Sequence, residues 1–78
     1  MGEFCIRIRS FQEIQDFIAL ATAQPFHIEL FNDHQSANAT SFMGLVSLDL
    51  TRPSWVRANC TETEYFQFCQ KAMRFAAN

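Results

Sequence analysis

The residues able to do covalent or metal chemistry in this chain are few: His27 and His34, Cys5, Cys60 and Cys69, and the serines Ser10 and Ser41. An imidazole suits phosphoryl or proton transfer near neutral pH. A metal site needs His and Cys at close ligand spacing, such as C-x-x-C or H-x-x-x-H. Neither spacing occurs, so His27 reads as an outer-face strand residue, His34 as a turn residue, and no metal is expected. The odd thiol count reads as free, mostly buried cysteines in a reducing compartment. No histidine lies near Ser10 in sequence, and no nucleophile–base pair or cofactor motif is present. The chain is therefore not read as an enzyme, and no cofactor is expected.

The two serines are better explained by the elements they open. Ser10 and Glu13 have the spacing of a capping box, in which each side chain satisfies a free backbone N–H at a helix start. Thr61 and Glu64 repeat it, and Ser41 precedes a short apolar segment.

Seventy-eight residues suit one domain, 1–78, and are too few for two. A chain this short buries only about 60% of its unfolded surface, so its core must be dense. Nine Phe in a chain that is 49% apolar meet that demand. The net charge of −2 gives no electrostatic case for nucleic acid or an anionic membrane. The longest apolar run, Phe17 to Ala21, is too short to cross a bilayer, and the first residues lack the pattern of a signal peptide. A cytoplasmic protein is expected.

The hydrophobic period changes along the chain, and those changes mark the elements. Phe4, Ile6 and Ile8 alternate with Cys5, Arg7 and Arg9, which predicts a strand. Ile14, Phe17, Ile18 and Ala21 share one face of a helix that Pro25 ends. Phe26, Ile28 and Leu30 predict a second strand, Asn32-Asp33-His34 a turn, and Ala37 and Ala39 a short return strand. A helix from Phe42 to Leu48 follows, with Leu45 and Leu48 inward and Leu50 just beyond. Val56, Ala58 and Cys60 predict a fourth strand, with Trp55 and Arg57 on its outer side. A last helix, Glu62 to about Ala76, carries Tyr65, Phe68, Cys69, Ala72, Met73 and Ala76 as its core stripe. The order β-α-β-β-α-β-α makes an α+β domain of two layers, an open-faced sandwich with helices on one sheet face.

That order, and the segment Asn38-Ala39-Thr40-Ser41-Phe42-Met43-Gly44-Leu45-Val46-Ser47-Leu48-Asp49-Leu50, resemble the HPr family, the histidine phosphocarriers of bacterial sugar uptake. The family's regulatory-serine motif usually reads N-A-K-S-I-M-G-L-M-S-L-G-L, with Thr40 here in place of the Lys. The register then runs without a gap from about Ser10 onward. The resemblance implies a four-stranded antiparallel sheet of order 1-4-2-3 with three helices on one side, and a bacterial, cytoplasmic protein of the phosphotransferase system.

The departures bear on function. The family's active loop reads roughly G-L-H-A-R-P, and its His relays phosphate from enzyme I while its Arg helps hold it. Ser10 stands at the position of that His and Gln12 at that of the Arg, in a shorter loop without Gly or Pro. A serine phosphate ester is too stable to pass its group on, so the resemblance implies a member without histidine relay. Two sites remain. Ser41 falls at the serine phosphorylated by HPr kinase, and a phosphate at a helix start is favourable; a plain N-cap explains the same residue. Phe42, Met43 and Val46 fall on the patch through which the family meets phosphotransferase-system enzymes or a transcription regulator; Phe42 folding down over the core is the alternative. Three roles stay open: a regulatory or partner-binding module, a divergent phosphocarrier using His27 or His34 in phosphoenolpyruvate-dependent sugar phosphotransfer, and a self-associating remnant. As an oligomer, a monomer or weak homodimer is expected. On the open sheet face, Arg7 or Arg57 is expected to stack on Trp55 beside Phe31.

Overall fold

The computed structural model describes residues 4–77. The chain runs β1 (Phe4–Ile6), α1 (Phe11–Thr22), β2 (Ile28–Phe31), β3 (Ser36–Asn38), α2 (Phe42–Val46), β4 (Ser54–Ala58) and α3 (Glu62–Lys71), then a 3-10 turn at Met73–Phe75. All strand pairs are antiparallel and the sheet order is β1-β4-β2-β3, the order that the resemblance implies.

β4 shows why the sheet is one-sided. Ser54, Val56 and Ala58 are buried while Trp55 and Arg57 are exposed, so the pleat sends one set to the helices and the other to the open face. Ile6, Ile8, Ile28 and Leu30 join Val56 under Ile14, Phe17 and Ala21 of α1, Leu45 of α2 and Phe68 of α3. Phe17 is the hub of the aromatic packing, meeting Phe68 and Phe75 edge to face.

Four expectations are corrected. The first capping box is only half formed. The Glu13 N–H donates to Ser10 Oγ at 3.1 Å, but the Glu13 carboxylate accepts from the N–H of Arg9, one residue before the cap, at 2.7 Å. Thr61 and Glu64 form the full reciprocal pair. α2 stops at Val46 instead of Leu48, because the chain tightens there: the Leu48 N–H bonds the Leu45 carbonyl, three residues back. Leu48 is nonetheless buried, as expected.

α3 stops at Lys71 rather than near Ala76, and Met73 is 57% exposed instead of lying on the core stripe. Residues 75–77 lie along β1 instead. The Arg7 N–H donates to the Phe75 carbonyl at 2.7 Å, and the Ala77 N–H to the Cys5 carbonyl at 3.1 Å. A helix running on would leave these outer-edge groups of β1 without these partners, which is the physical reason for the break. Phe75 is buried in the process.

Finally, the open face is shielded differently. Arg57 stacks on Phe31, 4.5 Å from the ring centre, not on Trp55. It sits opposite Glu29 in the β2–β4 register, and its ion pair with that carboxylate at 3.2 Å draws the guanidinium along β2. Arg7 turns instead to the Thr51 carbonyl at 2.9 Å.

Candidate functional site

The site is built where α1 and α2 begin. Both helices open on a serine in extended backbone. Ser10 Oγ accepts the Glu13 N–H, and Ser41 Oγ accepts the Gly44 N–H at 3.0 Å. Ahead of Ser41, the Asn38 side chain accepts from both the N–H and the hydroxyl of Thr40, fixing the turn out of β3. Gly44 lets α2 sit close: a Cβ there would lie 3.2 Å from Ser41 Oγ and 3.3 Å from the Ala37 Cβ.

Phe11 and Phe42 follow the two serines directly, and their rings meet edge to face at 5.5 Å. Phe11 stays mostly in solvent, 62% exposed, and Phe42 is 37% exposed. Phe42 stands outside the buried cluster, mostly covered but with part of its ring open. Met43 and Val46, 71% and 41% exposed, lie outward on α2 while Leu45 points in. Phe42, Met43 and Val46 are the exposed large apolar residues of α2, and Phe11 meets Phe42 from α1. Sequence reasoning missed Phe11. It stands three residues before Ile14 on the same helical stripe, one turn beyond the core; a large apolar residue directly after a cap was the available signal.

Gln12 does not reach this surface's serines; its amide donates to Asp16 Oδ1 at 3.0 Å along its own helix. His27 lies just before β2, 3.7 Å from the Glu29 carboxylate, and His34 lies in the β2–β3 turn. The α-helices are capped by Ser10, Ser41 and Thr61. Among the described residues no three His, Cys, Asp or Glu side chains gather as metal ligands would.

Charge is kept near the α1 opening by Arg7 and Arg9. The Arg9 guanidinium donates to the carbonyls of Arg7 at 3.2 Å and Ala76 at 3.4 Å. With Ile8, Ser10, Leu50 and Thr51 the two arginines line a shallow groove of about 430 Å³. A larger one, about 560 Å³, lies on the open-face side, between the Asn32–His34 turn and the Asp49–Pro53 loop, with Cys5 and Trp55 in its lining. Hydrogen bonds from the Thr51 hydroxyl and N–H hold the Asp49 carboxyl below its usual range. Burial raises the thiols of Cys5, Cys60 and Cys69, which keeps them protonated and weakly nucleophilic. Burial likewise pushes the Tyr65 hydroxyl up to about 12; it donates to the Val56 carbonyl at 3.3 Å.

No protein-family model matches the sequence, and no curated protein does. Among solved structures, the chain is similar to HPr-C-His from Thermoanaerobacter tengcongensis, with a TM-score of 0.74 and 22% identity over 95% of this chain and 92% of that one. The fold is that of HPr. No helix among the described residues is long and apolar enough to cross a membrane.

Proposed function

We propose that the chain is a partner-binding, regulatory module on the HPr scaffold, working through the joined openings of α1 and α2 rather than through a histidine relay. The observation that carries this reading is the exposed apolar group Phe11, Phe42, Met43 and Val46, organised by an aromatic contact across two helix starts. An exposed apolar cluster of this kind is suited to docking another protein. The relay side is weak for a chemical reason. Ser10 stands where the family resemblance would put the phosphate-carrying imidazole, and its hydroxyl is committed to the cap.

Ser41 is the regulatory element of the proposal. A phosphate there would take the place of the hydroxyl that now accepts the Gly44 N–H and would add negative charge at a helix start, beside Phe42. Partner affinity would then depend on the phosphorylation state. The partners by resemblance are HPr kinase, phosphotransferase-system enzymes or a transcription regulator.

Intact-mass measurement tests the reading. Incubation with HPr kinase and ATP is expected to add one phosphate, lost in Ser41→Ala. Incubation with phosphoenolpyruvate and enzyme I is expected to add none. Acid-labile phosphate on His27 or His34 would replace this reading with a divergent phosphocarrier. No phosphate on Ser41 would remove the regulatory element.

A further inference from the structure

The segment Ala72–Ala77 leaves the α-helix against its own local preference, through a 3-10 turn at Met73–Phe75 and then extended backbone at Ala76. Ala, Met, Arg, Phe, Ala and Ala contain neither Gly, Pro nor a β-branched residue, and helix formers dominate. No described residue has positive φ, so no left-handed residue encodes the stop. The Ala72 backbone, at φ −93° and ψ 7°, has left the α-helical well for the bridge region, open to any residue type and so not a stop written in the sequence. The break comes from tertiary contacts: the two backbone hydrogen bonds to β1, the Phe75 ring edge to face with Phe17 at 5.3 Å, and the Arg74–Asp16 ion pair at 3.2 Å.

We propose that residues 72–77 are a two-state strap, docked by the 3-10 turn at Met73–Phe75 and a single antiparallel bridge from Ala76 to Ile6 on the outer edge of β1, or released as a continuation of α3. Local preference and tertiary contact point to different conformations of one segment, which is the condition for a bistable element. Release uncovers the Arg7 N–H and the Cys5 carbonyl. It also removes the Ala76 carbonyl from the Arg9 guanidinium, directly before the Ser10 cap. The state of the strap is thereby felt at the opening of α1, where Phe11 stands.

Native-state amide exchange on the full chain tests this. The Arg7 and Ala77 amides are expected to exchange together, roughly tenfold or more faster than Leu30 and Val56 of the central strands. Phe75→Ala removes the anchor. It is expected to speed the Arg7 and Ala77 amides further, to move Cα chemical shifts of residues 73–77 toward helix, and to shift the Ser10 and Phe11 amide resonances. Leu30 and Val56 should stay protected. Coil shifts for residues 73–77 would overturn the proposal, showing a frayed end instead of a second state. So would Arg7 and Ala77 exchange in the unsubstituted chain that occurs only with global unfolding. If Phe75→Ala fails to fold, Arg74→Ala, which removes only the exposed ion pair to Asp16, carries the same shift comparison, with helical shifts supporting the strap and coil shifts overturning it.

Discussion

Phe11 and Phe42 occupy the same place in two different helices, the first residue after a serine cap, and their rings meet edge to face. Each cap fixes the direction in which its helix starts, so each fixes where its Phe points. The pair therefore reports whether both openings are in place at once. A double-mutant cycle with Phe11→Ala and Phe42→Ala, read by urea unfolding, is expected to show a coupling energy of about 0.5–1 kcal/mol, the lower part of the aromatic-pair range because both rings are partly solvated. Additive single effects would mean that the contact is incidental.

Gly44→Ala is predicted to forfeit the gain that replacing a helical glycine usually brings. In an ordinary helix interior Gly→Ala would stabilise by up to about 1 kcal/mol. Here the new Cβ would lie 3.2 Å from the Ser41 hydroxyl oxygen and 3.3 Å from the Ala37 Cβ. α2 must then move off β3, or the cap hydroxyl must turn away from the Gly44 N–H. The loss of a cap costs about 1 kcal/mol, which offsets the helix gain, and the displacement adds to it. Gly44→Ala is expected to lower the urea midpoint with an unchanged m-value, and a stabilised variant would show that α2 shifts freely.

Most of the scaffold was legible because it is written in local periods. β4 alternates cleanly, and the α1 stripe of Ile14, Phe17 and Ala21 repeats every three to four residues. The departures share a cause: they depend on partners distant in sequence. Nothing near Met73 says that Phe75 and Ala77 will pair with β1, since the edge they fill lies at the other end of the chain. Nothing near Phe11 announces Phe42. Arg57 lay on the expected face, but its choice of Phe31 over Trp55 follows from the register that sets it opposite Glu29. At the site, the outward group on α2 was readable from spacing, whereas its extension onto α1 needed the tertiary arrangement.

Alkaline stability should depend on Tyr65. Burial against β4 pushes the pKa of its hydroxyl, which donates to the Val56 carbonyl, from about 10 in an open chain up to about 12 in the fold. The folded state thus holds the proton where the unfolded state has released it. The stabilising contribution is complete below about pH 10 and is lost as pH rises from there toward about 12. Cys60 and Cys69, also raised by burial, act in the same direction from a lower starting pH. Tyr65→Phe removes the ionisation together with the hydrogen bond, so it is expected to cost about 1 kcal/mol at neutral pH and to flatten the decline above pH 10. The thiols keep a shallower slope in that variant. Urea midpoints of both proteins between pH 7 and about pH 11.5 check this, and parallel declines would mean that the Tyr65 proton is not linked to folding.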